Sequence, residues 1–162
     1  MSHKIQFPDL ILFENDDFIV INKPSGLSSL EDRTEKNSVL SLGRSYYKDC
    51  QLCHRLDKET SGILVIARNP TFYRHLSMQF EKRKVKKIYH AVVEGSRDFT
   101  DVNAEVPLAI SAGGKARVDF KHGKPALTLF NTGKAYKTHT LVECMPITGR
   151  THQIRVHLAW LR

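Results

Sequence analysis

The sequence is short of acids. Its 162 residues carry 17 Asp and Glu against 25 Lys and Arg, which gives a formal net charge of +8 and a pI near 9.5. A domain this basic points to a polyanionic partner, nucleic acid first and an anionic membrane surface second; the competing reading is a generic basic surface that aids solubility. Cysteine is scarce too. Cys50, Cys53 and Cys144 are odd in number, which argues against a disulfide framework and reads as reduced thiols in a cytoplasmic protein. No apolar run approaches the roughly 18 residues a membrane span needs. Met1-Ser2-His3-Lys4 leads into mixed polar sequence without the apolar core of a signal peptide. Internal repeats and low-complexity linkers are missing as well. What remains is ordinary: 41% hydrophobic and 26% charged residues in a chain long enough to bury a core, so one domain over 1–162 is expected.

Taken in order, residues 10–14 and 18–22 are apolar and β-branched around Asn15-Asp16-Asp17, which predicts two strands and a turn. Lys23-Pro24-Ser25-Gly26 ends the second strand. Residues 28–38 are polar and read as a loop, and Val39 to Tyr47 as a short helix. The run Ile63 to Ala67 predicts a buried strand. Asn69-Pro70 then suits a helix start, with Asn capping free amides and Pro at the first helical position. Phe72, Leu76 and Phe80 recur every four residues on one face of that helix, which should reach about Lys82. Ile88 to Glu94 alternates into a strand. Residues 116–121 and 126–131 look like a hairpin about His122-Gly123-Lys124-Pro125, and Lys137 to Met145 like another strand. A last helix carries Ile154, Leu158 and Leu161 on one face, with Thr148 or Thr151 as its cap. The mix is strand-rich α+β, mostly antiparallel.

Between the helix at 39–47 and the strand at 63–67 lies the stretch that draws most attention. His54-Arg55-Leu56-Asp57-Lys58 sets one carboxylate between two cations, and the turn residues Thr60-Ser61-Gly62 lead into the buried strand. A loop feeding a buried strand can hold a carboxylate rigidly at a cleft. The bland alternative is a solvated Asp in a charged turn. Downstream, Lys82, Arg83, Lys84, Lys86 and Lys87 form a basic run, either a solvated face or an edge that meets phosphates.

His54-Arg55-Leu56-Asp57-Lys58 followed by Thr60-Ser61-Gly62 resembles the signature of the RluA-type pseudouridine synthases, enzymes that turn uridine in RNA into its C-glycoside isomer. Asn22-Lys23-Pro24-Ser25-Gly26 resembles the family's N-terminal Lys-Pro-x-Gly turn, Phe80 to Gly95 its second motif, and Gly149-Arg150-Thr151-His152-Gln153-Ile154-Arg155 its third. Four matches in order span residues 22–158, which is far more specific than any one of them. The resemblance implies a mixed, mostly antiparallel central sheet with flanking helices and a basic cleft. It implies Asp57 as the catalytic carboxylate, attacking C1′ or C6 or promoting ribose deprotonation. It implies Arg155 as the partner that keeps Asp57 ionised and oriented. Tyr89 falls in the second motif, where a ring can stack on the target base and its hydroxyl can move a proton; a core tyrosine is the alternative. Arg55 falls where relatives insert a side chain into the stack left by the flipped nucleotide; otherwise it is a phosphate contact. Arg150 suits a backbone or phosphate role, and Lys84, Lys86 and Lys87 suit RNA phosphates.

One segment competes. Cys50-Gln51-Leu52-Cys53-His54 matches the Cys-x-x-Cys-His pattern of haem attachment and half of a zinc site. Haem attachment would need export, and zinc would need a second ligand pair at matching spacing. No metal and no cofactor are expected. The resemblance departs at the end: family members continue for another few dozen residues with a Gly-His-Pro-x-x-Gly-Asp segment, so the family's C-terminal part is expected to be absent. Nor is the small S4-type RNA-binding domain that many relatives carry expected ahead of Leu10. The expectation is a cytoplasmic, monomeric, cofactor-free uridine isomerase whose partner is structured rRNA or tRNA, with no membrane partner. The alternative is a non-catalytic RNA-binding module of the same fold.

Overall fold

A computed structural model describes residues 5–31 and 37–162. Met1-Ser2-His3-Lys4 and the middle of the loop expected over 28–38 lie outside the described residues. The chain is laid down as two compact units, Met1–Lys84 and Val85–Arg162.

The first unit is built on a four-stranded antiparallel sheet in the order β1-β2-β4-β3, with β1 at Ile11–Glu14, β2 at Phe18–Lys23, β3 at Gln51–Leu52 and β4 at Gly62–Ala67. The Asn15 side chain accepts from the amides of Asp17 and Phe18 and makes the β1–β2 turn that its position suggested. Successive side chains on a strand face opposite ways. On β2 this buries Ile19, Ile21 and Lys23 together, with Ile19 opposite Ile66, Ile21 opposite Leu64 and Lys23 opposite Gly62. Helix α1, Val39–Tyr46, opens with a capping box between Ser38 and Ser41. Helix α2, Pro70–Glu81, starts as expected: the Asn69 side chain accepts from Phe72 N at 2.8 Å with Pro at the first position. Its apolar face also matches expectation, since Phe72 stacks on Phe18 at 4.9 Å and Phe80 on His54 at 4.4 Å.

The second unit has a sheet in the order β5-β10-β9-β6 and a separate ribbon β7-β8, with β5 at Tyr89–Glu94, β6 at Val102–Ala104, β7 at Leu108–Ile110, β8 at Ala116–Val118, β9 at Thr128–Ala135 and β10 at His139–Pro146. Every pairing between these strands is antiparallel. Helix α3, Gln153–Trp160, lays Ile154 and Leu158, followed by Leu161, against a core of Phe99, Ala104, Phe130, Val142 and Cys144. Burying Phe130 completely contributes about 2–3 kcal/mol. The class is α+β, as expected.

Two local expectations fail. Residues 116–121 and 126–131 do not form a hairpin with each other. The Asp119 carboxylate caps the amides of Lys121 and His122, Gly123 N donates to Asp119 O, and Lys124 bonds back to Leu108 in both directions. The turn residues therefore return the chain to β7. Residues from Thr128 onward pair instead with β6 and β10, which bury Phe130. Neither Thr148 nor Thr151 caps α3. The cap position is His152, in the left-handed region at φ 52°, without a side-chain cap bond. The Thr148 hydroxyl is buried and already donates to Gln153 Oε1 at 2.7 Å while accepting from Leu127 N at 3.0 Å.

Candidate active site

Asp57 sits on the loop between β3 and β4, where the chain cannot rely on ladder bonds to hold its shape. The turn after β2 supplies them. Lys23 is 0% exposed, and its ammonium donates to the carbonyls of Pro24 at 2.9 Å, Leu27 at 2.7 Å and Lys58 at 2.9 Å. All three of its donors are used. Gly26, at φ +84°, adds a backbone bond from its amide to Lys58 O at 2.9 Å; that left-handed conformation suits glycine. Ser25 Oγ donates to Glu59 O at 2.9 Å. On the other side the buried Ser29 hydroxyl donates to Leu56 O at 2.6 Å and accepts from Leu56 N at 3.1 Å. The residues on both sides of Asp57 are thus tied to one turn, and Thr60 N closes on Asp57 O at 3.0 Å. Burial pulls the Lys23 amine below its ordinary value, and the nearby Glu59 and Asp57 carboxylates oppose that pull. The Asp57 side chain is half-buried, while Arg55 and Lys58 are exposed.

His54 and its cysteines are engaged elsewhere. Val65 N donates to His54 Nε2 at 3.1 Å, which leaves the neutral ring's proton on Nδ1. Cys50 and Cys53 are buried free thiols. Burial raises both, Cys53 to about 11, so they stay protonated at neutral pH.

In the second unit, Tyr89 opens β5 opposite Cys144 on β10. It lies with Ala91 and Val93 on the face packed against the core. Arg150 and Arg155 flank a buried polar network. Gln153 Oε1 accepts from Thr148 Oγ1 and from Arg150 N at 2.9 Å, and its amide nitrogen donates to Leu127 O at 3.0 Å and Thr128 Oγ1 at 2.9 Å. His157, 0% exposed, continues the chain, with Nδ1 2.9 Å from Thr128 Oγ1 and Nε2 3.2 Å from Val106 O. A carbonyl can only accept, so the neutral ring carries its proton on Nε2 and Thr128 donates to Nδ1. Arg150 Nε donates to Pro125 O at 3.1 Å. Arg155 is exposed on α3, its Nη1 3.3 Å from His152 Nδ1. Lys86 is exposed, and Lys87 is half-buried with its ammonium 3.4 Å from Thr148 O. Lys84, exposed, closes the first unit past the C-terminus of α2.

Of the residues that hold these loops, the sequence reading placed Lys23 and Gln153 in motifs without giving them a role, and missed Ser29 and His157. For Lys23 the signal was present, because it continues the i, i+2 alternation of Ile19 and Ile21 onto the buried face. Gln153 and His157 are one turn apart on α3, but a polar pair at that spacing has no distinguishing mark.

An α+β fold that carries these four motifs, with an aspartate on a loop clamped from both sides, defines a class. The family model for RNA pseudouridylate synthase matches residues 17–160, and the chain belongs to that family. It is 38% identical over 97% of its length to ribosomal large subunit pseudouridine synthase C of Buchnera aphidicola, covering 52% of that protein. It is 38% identical over 91% of its length to the dual-specificity RNA pseudouridine synthase RluA of Vibrio parahaemolyticus, covering 63% of it. Among solved structures it superposes on human RNA pseudouridylate synthase domain containing 4 with a TM-score of 0.77 and 27% identity, over 95% of this chain and 65% of that one. The chain thus spans between half and two thirds of the length of these relatives. No helix among the described residues is long and apolar enough to cross a membrane.

Proposed function

We propose that this chain isomerises uridine to pseudouridine in structured rRNA or tRNA, with Asp57 as the catalytic carboxylate. The observation that carries the reading is the clamp on the Asp57 loop, where Leu56 and Lys58 are each fixed by buried or half-buried donors. Such a loop fixes the backbone that carries the carboxylate, which catalysis by proximity requires. The relatives' names point to RNA as the substrate, one of them to ribosomal RNA.

The reaction breaks the N1–C1′ bond, turns the base and forms C5–C1′. N1 gains a proton and C5 loses one, so atoms and electrons balance without a redox partner or cofactor. A carboxylate serves each of three routes: attack on C1′, attack on C6, or removal of a ribose proton. Tyr89 is assigned to stacking on the base and proton transfer, and Arg155 to charge stabilisation of the reacting carboxylate. Arg55 takes the place of the flipped nucleotide in the stack. Arg150, Lys84, Lys86 and Lys87 meet RNA phosphates.

The test is tritium release from RNA labelled at uridine C5, with this chain and its Asp57→Asn variant. Release is expected from the wild type alone, with RNA affinity kept within a few-fold in the variant. Substantial release from Asp57→Asn removes Asp57 from the chemistry. Wild-type protein that binds RNA without releasing tritium is a binding module or an incomplete enzyme, and the same assay on a C-terminally extended chain separates the two.

A further inference from the structure

Residues of the first unit line two open clefts, of which the second reaches the candidate site at His54 and Arg55. One, about 600 Å³, is bordered by Arg44, Tyr47, Lys48, Asp49 and Arg68. The other, about 510 Å³, has an apolar floor from Leu30, Leu40 and Leu52, with Tyr73, Arg44 and Arg55 around it. Arg44 and Gln51 border both clefts, so the two adjoin. Four cations line the pair against the single carboxylate of Asp49. Arg44, Lys48 and Arg55 are exposed, and among the described residues they form no ion pair. Arg68 is held in place, with its guanidinium 4.3 Å from the centre of the Tyr47 ring and Nη1 donating to Asn15 O at 2.6 Å. Tyr73 is 37% exposed on α2.

We propose that these clefts form one track for single-stranded RNA next to the target uridine. Phosphates would meet Arg44, Lys48 and Arg68, and a base would stack on Tyr73 above the leucine floor. The combination discriminates between RNA forms. Cations alone serve any phosphate backbone, whereas a partly exposed ring in a cleft shared with leucines is useful only to a base whose face is free. A duplex hides those faces. The track leads to Arg55, two residues from Asp57. It rests on the reading that this chain acts on RNA, but its binding test does not depend on turnover.

The test uses the whole chain with a fluorescently labelled oligouridine of about 12 nucleotides and a blunt RNA duplex of similar length. Affinity is measured over a salt series. The wild type should bind the oligouridine. The double variant Arg44→Gln/Lys48→Gln should bind it roughly tenfold more weakly, with the slope of log affinity against log salt smaller by about 1.4. Tyr73→Ala should weaken oligouridine by roughly tenfold and duplex by much less, and Tyr73→Phe should restore it. Thermal melting of each variant identifies misfolded protein, and the Tyr73→Phe rescue reads the ring independently. No oligouridine binding by the wild type, or an unchanged affinity and salt slope in the double variant, overturns the track. Absence of tritium release, from this chain and from a C-terminally extended one, with these binding differences intact would sink the isomerase and leave the track standing.

Discussion

The two units hold their motif loops by different chemistry. In the first, a buried ammonium, Lys23, gathers three carbonyls and ties the Asp57 loop to the turn after β2. In the second, a neutral chain of Thr148, Gln153, Thr128 and His157 orders the segment between β10 and α3. A buried charge is costly unless every donor is satisfied, and removing it strands all its acceptors at once. A neutral network is cheaper to bury and fails one bond at a time. The first loop should therefore be more sensitive to losing its one residue, and the second more sensitive to proton concentration.

Lys23→Met should have the largest effect. Methionine fills much of the same space but leaves the carbonyls of Pro24 and Leu27 without the ammonium and Lys58 O with the Gly26 amide alone. At about 1–3 kcal/mol per stranded group, partly offset by no longer burying a charge, the expected loss is about 3 kcal/mol or more. Urea unfolding measures it. Hydrogen exchange should show the amides of 52–61 opening before the rest of the first sheet. A loss under about 1 kcal/mol would mean the clamp is redundant and the serine and glycine bonds suffice.

Gln153→Leu is the matching change in the second unit and should cost less, about 2–3 kcal/mol. Leucine keeps the volume, but the Thr148 hydroxyl and the Arg150 amide lose their acceptor, and Leu127 O and Thr128 Oγ1 lose a donor. Trp160 is the chain's single tryptophan and rests edge-on to Phe120 at 5.8 Å in this unit, so its fluorescence during urea unfolding reports the change. A loss larger than that of Lys23→Met would reverse the ranking.

Much of the fold could be read from local pattern. The Asn15 turn, the β2 alternation, the Asn69-Pro70 helix start and the Phe72/Phe80 face all declare themselves within a few residues. What could not be read is where long-range partners settle. Residues 126–131 look like the second arm of a hairpin because His122 to Pro125 is rich in turn signals, yet β9 is decided by β10 and β6, and by the burial of Phe130 between them. Thr148 looks like a helix cap until Gln153 takes its hydroxyl. The motif residues of the candidate site, Asp57 above all, were visible as a pattern. The buried polar groups that position their loops were not, because a buried Gln or His has the same one-letter appearance as an exposed one. Only Lys23, in phase with Ile19 and Ile21, betrayed its position.

The smallest expected effect is the most discriminating. Burial holds His157 below its ordinary value near 6.5, although its bond to Val106 O works in the other direction. In the folded chain the ring is neutral and Nδ1 is occupied as an acceptor. Protonating it would set a second N–H against the Thr128 hydroxyl, which already receives one from Gln153. The unfolded chain therefore takes up a proton at higher pH than the folded one. Stability from this histidine is complete above about pH 6.5 and falls as pH drops through that value, with a slope of at most about 1.4 kcal/mol per pH unit, levelling off below the folded pKa. Acid cannot take a proton from the Lys23 ammonium, so lowering the pH leaves the clamp in the first unit its three donors. Urea unfolding at pH 7 and 5.5, followed by Trp160 fluorescence, should show the wild type losing more stability than Thr128→Val, which frees Nδ1 to accept a proton without a clash of donors. Equal losses in the two proteins would mean that the acid sensitivity of the chain arises at its other histidines and that the neutral network is not the pH-dependent half of the pair.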